Sequence, residues 1–130
     1  MEFITLNNGV SIPRLGMGTW YLGEKLSVRE EEIEALQRGI DCGMTLIDTA
    51  EMHGNGLSEQ LVGQAVKGYR REDLFLVSKV LPQNAGESRI RRSLNHTLRM
   101  IRTDYLDLYL LHWRGEYPSC RDRAMYGRAG

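Results

Sequence analysis

The chain has 130 residues, 42% of them hydrophobic and 26% charged, with 17 basic residues balanced by 17 acidic ones. That is material for one core, and the absence of a basic excess gives no support to nucleic acid or an anionic membrane surface as partner. No apolar run approaches the ~20 residues of a membrane-spanning helix and the N-terminus lacks a signal-peptide pattern, so a cytoplasmic protein is expected.

The chain opens with FITLNNGVSIP, in which two short alternating runs flank Asn8-Gly9, a pair that favours a type I′ hairpin turn. LGMGTW (15–20) follows as a short, glycine-rich first strand able to pass close to a ligand. Ser27 and Glu30 have capping-box spacing, and Ile33, Leu36 and Ile40 recur at helical period until Gly43 offers a C′ residue. TLID reads as the next strand, 48–56 as a loop, and Leu57, Leu61, Val62 and Ala65 as the buried stripe of a second helix. Leu74 to Lys79 is expected as strand, Ile90, Leu94, Leu98 and Ile101 as a third helical stripe, and Leu106 to His112 as a further strand. The arginines of RIRRSLNHTLRMIR fit a solvated helix face better than a phosphate track. Cys42 and Cys120 are far apart without metal-like spacing, which makes free thiols the expectation.

Alternating strands and helices with short connections predict a parallel α/β sheet with right-handed crossovers, and the continuous apolar strand centres suit a sheet buried on both faces. A barrel segment and a doubly wound sheet both satisfy this. The second normally carries G-x-G-x-x-G after its first strand, whereas GMGTWYLG has only G-x-G followed by bulky residues. Three of the apolar runs end in an ionisable residue: Asp48, Lys79 and His112. On successive parallel strands these would cluster at the C-terminal ends, where barrel enzymes carry their chemistry. Taken singly, Asp48 could cap a turn, Lys79 reach solvent and His112 bond to backbone. Asp104, Tyr105 and Asp107 are expected to end the third helix and pair locally, and Glu51 and Glu59 to lie on the surface.

The motifs GMGTW, DTAEMHGNG, LVSKV and TDYLDLYLLHW, in this order and at these separations, resemble the aldo-keto reductases, in particular a bacterial branch of small-aldehyde, methylglyoxal-reductase-like enzymes. The resemblance covers Phe3 to about Pro118 and implies the N-terminal half of a (β/α)₈ TIM barrel, about four βα units preceded by a β-hairpin. It implies NADPH-dependent reduction of small aldehydes or ketones. Matched motif by motif, Asp48, Lys79 and His112 correspond to three members of the family's catalytic tetrad, Gly18, Thr19 and Asp48 to the cofactor site beside the nicotinamide, and Trp20 and Trp113 to substrate-lining aromatics. The fourth tetrad member, a tyrosine, falls on His53. No metal ligand set is implied.

A weak or absent reductase activity is therefore expected, with a non-catalytic half-barrel or assembly partner as the alternative. A metal-dependent barrel hydrolase using Asp48, His53 and His112 is a remote one, since no H-x-H follows the first strand. By the resemblance, most NADPH contacts come from a second half-barrel, so cofactor binding by these residues alone is expected to be impaired, and open barrel edges invite self-association. After Pro118 the family pattern stops: SCRDRAMYGRAG has no helical apolar period. Permitted codons displaced by one base read Leu-Ala-Glu-Thr-Val, the start of the helix the family places there. Residues 119–130 are thus expected to be an out-of-frame or unstructured tail.

Overall fold

The computed structural model describes residues 1–115, so the expectations for the tail after Pro118, and Cys120 with them, lie outside the described residues. The elements follow in the order β1 (Phe3–Thr5), β2 (Ser11–Pro13), β3 (Gly16–Gly18), α1 (Arg29–Asp41), β4 (Leu46–Asp48), α2 (Leu57–Val66), β5 (Phe75–Val80), α3 (Glu87–Ile101) and β6 (Leu108–Leu111). β1 and β2 form an antiparallel hairpin, and β3-β4-β5-β6 a parallel sheet in sequential order. A doubly wound sheet would reverse its strand order part-way; uninterrupted β-α-β progression in one direction is the arrangement of a barrel segment.

Side chains two apart on a strand share a face. With the register Gly18↔Asp48, Asp48↔Val77 and Lys79↔Leu110, one face carries Gly18, Asp48, Val77, Lys79, Leu108 and Leu110. The other carries Ile47, Leu76, Ser78 and Val80, all buried beneath the helices. The core lies in that sheet–helix layer: Leu36 and Ile40 of α1, Leu61, Val62 and Ala65 of α2, and Ile101 of α3 meet Ile47, Leu74 and Leu76. The opposite face is open at its far side, where Leu108 and Leu110 are 41% and 38% exposed. Among the described residues β3 and β6 each pair on one side only.

Several local expectations are corrected. The hairpin turn is not type I′, which needs φ > 0 at both central residues. Only Gly9 has it (φ +84), and its N–H donates to the Leu6 carbonyl, so Asn7-Asn8 form the corner and Gly9 absorbs the left-handed step into β2. The Ser27–Glu30 capping box does not form, because Ser27 falls inside a 3-10 turn (Leu26–Val28) and the N-cap of α1 is Val28, without a side-chain bond. Glu30, Glu31 and Glu32 in the first turn of α1 complement the helix dipole instead. At the other end Gly43 does terminate α1, at φ +93 with its N–H on the Ile40 carbonyl. Leu57, expected in the buried stripe, is 42% exposed because it opens α2 at the rim of the sheet. Asp107 does not pair locally: its Oδ2 accepts from Arg71 Nη2 at 2.7 Å and from the Leu76 N–H at 2.8 Å, fastening the approach to β6 against the start of β5.

Candidate active site

Four side chains meet at the C-terminal ends of β3 to β6. Asp48 is the last residue of β4 and Lys79 the penultimate residue of β5. Their equal parity on adjacent strands lets Lys79 Nζ donate to Asp48 Oδ1 at 2.6 Å, and a second Nζ hydrogen reaches the Thr49 carbonyl at 3.0 Å. His112 follows β6 directly, its N–H held by the Val80 carbonyl at 2.9 Å, and its ring Nδ1 is buried without a partner among the described residues. Thr19 follows β3 in the same way, its N–H on the Asp48 carbonyl at 3.1 Å.

His53 comes from the β4–α2 loop rather than from a strand. It opens a 3-10 turn in which Gly54, Asn55 and Gly56 all have positive φ, a tight left-handed run that glycine permits at two of the three positions. That turn aims the imidazole inward, 7% exposed, while α2 departs in a new direction. Its ring lies 5.9 Å from Trp20, nearly parallel at 15°, and 5.8 Å from His112 edge-on at 75°; Nδ1 is 3.3 Å from Thr19 Oγ1. Trp113 packs edge-on against His112 at 4.8 Å. Trp20 and Trp113 are themselves 62% and 47% exposed, walls that face outward over the cluster.

Burial holds His53 below the ordinary histidine pKa, Lys79 and His112 push the same way, and Asp48 opposes them. His112 is also lowered, by burial and then Lys79, against Asp48 and Glu51. Both imidazoles are thereby biased toward the neutral form beside an ion pair. The cluster can offer hydrogen bonds to a small oxygen-bearing group, with one cation and one anion already committed to each other. Gly18 leaves open space where a Cβ would stand, next to the buried Thr19 and level with Asp48, an uncrowded strip of sheet against which a flat ring can lie. The open strip at Gly18 has the shape that the flat nicotinamide of a dinucleotide would need. No group of three or more His, Cys, Asp or Glu is placed to hold a metal ion among the described residues.

A sequence profile of the aldo/keto reductase family matches residues 14–125. The chain belongs to the aldo/keto reductase family. It is 51% identical over 116 residues to methylglyoxal reductase YeaE of Escherichia coli, a match covering 89% of this chain and 40% of that one. It is 36% identical over 126 residues to aldo-keto reductase YhdN of Bacillus subtilis, covering 87% and 38%. Among solved structures, an aldo-keto reductase from Klebsiella pneumoniae in complex with NADPH superposes with a TM-score of 0.83 at 47% identity, covering 90% of this chain and 41% of the other. The thermostable aldo-keto reductase Tm1743 with epalrestat gives 0.86 at 48% identity, covering 91% and 45%. The fold is accordingly the N-terminal part of an aldo-keto reductase barrel, and the chain spans about 40% of the length of the relatives it matches.

Two glutamates expected on the surface are not there. Glu59 is 0% exposed, with Oε1 accepting from Ser78 Oγ at 2.6 Å and from Thr97 Oγ1 at 2.8 Å. It is the polar tie between α2, β5 and α3 behind the strand that carries Lys79. Helical period gives the signal: Glu59 lies three and seven residues before Val62 and Val66, on their buried face. Glu51 is half-buried and caps the β5–α3 loop, accepting from the Leu81 N–H and from Asn84 Nδ2 at 3.0 Å.

Proposed function

We propose that this chain carries the catalytic half of an NADPH-dependent reductase of small aldehydes or ketones, of the methylglyoxal-reductase kind, impaired by His53 at the proton-donor position. The observation that carries the proposal is the Lys79–Asp48 pair at 2.6 Å, flanked by His53 and His112 at the C-terminal ends of the parallel strands. Gly18, Thr19 and Asp48 would border the nicotinamide, and the open strip at Gly18 supports that. When bound, NADPH supplies the hydride. The carbonyl oxygen then gains negative charge, and the groups beside it must donate to it. His112 and His53 are the available donors, with Trp20 and Trp113 walling the substrate. A phenol beside Lys79 would be a better acid, because the ammonium favours phenolate; at His53 burial first, and then the same ammonium, disfavours imidazolium and lowers the pKa. Reduction slower by about 10²–10⁴ than with a tyrosine is the expected consequence.

The 130 residues by themselves are proposed to bind NADPH weakly and to act in the cytoplasm. A second reading, a non-catalytic half-barrel that pairs with itself or another chain, is favoured by the one-sided pairing of β3 and β6 and by the exposure of Leu108 and Leu110. Purified protein mixed with NADPH and methylglyoxal separates the two. Aldehyde-dependent loss of NADPH absorbance, abolished by Lys79→Met, supports the reductase; protein that binds no NADPH and oxidises none, while forming a stable dimer, supports the half-barrel.

A further inference from the structure

Thr19 has a geometry that its place beside a nicotinamide does not require. Its side chain is fully buried, and its backbone is pinned on both sides: the N–H donates to the Asp48 carbonyl, and its own carbonyl receives the Leu22 N–H. The hydroxyl stands 3.3 Å from His53 Nδ1, and among the described residues it has no other hydrogen-bond partner. A buried hydroxyl hydrogen needs an acceptor, and a hydroxyl oxygen can go without a donor far more easily. Only a lone pair on Nδ1 meets that need.

We propose that Thr19 is a positioning residue that holds His53 as the tautomer with its hydrogen on Nε2, so that the imidazole presents a neutral N–H donor to the substrate oxygen. The proposal rests on His53 standing where a donor is required, and it deepens the reading given above. The reverse arrangement, Nδ1–H donating to Thr19, would leave the buried threonine hydrogen without an acceptor among the described residues and would turn a lone pair toward an oxygen that is itself electron-rich. Groups facing the ring agree with a neutral imidazole: Lys79 and His112 oppose a positive charge there and Asp48 alone favours one. Trp20 stacked on the ring and His112 edge-on to it hinder a flip about χ2, which would put a ring carbon where Nδ1 faces Thr19. A neutral imidazole of this kind polarises a carbonyl by hydrogen bonding without surrendering its proton.

The test is nuclear magnetic resonance of the uniformly ¹⁵N-labelled 130-residue chain, with the His53 resonances assigned by their loss in His53→Gln. Above neutral pH the wild type is expected to show Nε2 protonated and Nδ1 as the unprotonated nitrogen. Thr19→Val is expected to bring Nδ1–H into substantial population, and Thr19→Ser to restore the original pattern. A wild type with hydrogen on Nδ1 overturns the proposal, as does a Thr19→Val variant that keeps the Nε2 tautomer. Should Thr19→Val not fold, Thr19→Ala is read in its place, with the same two outcomes. No turnover is involved, so a chain completed with a second half-barrel that binds NADPH yet reduces no aldehyde would count against the function proposed above and leave the role of Thr19 standing.

Discussion

Replacing Glu59 by glutamine should remove the loss of stability that accompanies rising pH. The carboxyl is fully buried; Oε1 serves the Ser78 and Thr97 hydroxyls and Oε2 has no partner among the described residues. Burial pushes its pKa above the ordinary 4.5, the two hydroxyl bonds oppose this, and Glu51 adds to the rise. The folded state therefore binds the proton more tightly than the unfolded one. Its contribution is fully present below the unfolded pKa and is lost as pH rises through the raised folded value, at no more than about 1.4 kcal/mol per pH unit for one proton. Glutamine resembles the protonated acid in charge, keeping one oxygen for both hydroxyls, and places an NH₂ where Oε2 has no partner among the described residues, a cost that does not change with pH. Glu59→Ala instead strips the acceptor from two buried donors, at about 1–3 kcal/mol each. Urea midpoints at constant m-value, taken between pH ~5 and ~8, measure this directly. Parallel pH dependence in wild type and Glu59→Gln would show that the buried carboxyl is not destabilised by ionising.

His53 titrates with the opposite sign: its folded pKa is lowered, so its contribution holds above the unfolded value of 6.5 and drains away as pH falls through the folded one, and His53→Gln should flatten the acid limb of a stability profile. Lys79→Met strands the Asp48 carboxylate, but that side chain is 38% exposed and can recruit water, so the loss in urea unfolding should be only about 1–2 kcal/mol. Gly63→Ala should cost about 1–3 kcal/mol, because a Cβ there would sit 2.7 Å and 2.8 Å from the carbonyl oxygens of Ile101 and Met100, where backbone rather than a flexible side chain must yield; Gly68→Ala, which meets open space, is the control and should leave the midpoint within error. His53→Tyr should not rescue reduction in the 130-residue chain, whereas in a chimera completed by the C-terminal remainder of the Klebsiella reductase it should raise kcat by about 10²–10⁴, read from NADPH oxidation.

The strands and helices were legible because their period is strong: Leu36 and Ile40, Leu61 and Val62, and the unbroken run through β5 announce what they bury. Asp48, Lys79 and His112 were legible for a related reason, each standing where an apolar strand gives out, so shared parity brings them together. Features set by tertiary surroundings were not. Ser27 and Glu30 carry a helix-start signal that a preceding 3-10 turn overrides, and Asn8-Gly9 suggests one turn while the chain adopts a neighbouring one that needs positive φ only at Gly9. Glu59 looked like surface because charge usually means solvent; α2 is flanked by the sheet and by helices on both sides, which leaves almost no solvent face on which to put it. Asp107 binds Arg71 36 positions away, a separation that no local rule reaches.

The central claim is that the ion pair and the two imidazoles form a carbonyl-reducing site. The measurement closest to it is NADPH oxidation with methylglyoxal by the chimera carrying the present residues 1–115, with NADPH binding followed separately by fluorescence. Slow turnover is expected, accelerated by His53→Tyr and abolished by Lys79→Met with NADPH still bound. A chimera that binds NADPH yet reduces no aldehyde even with tyrosine at position 53 would contradict it.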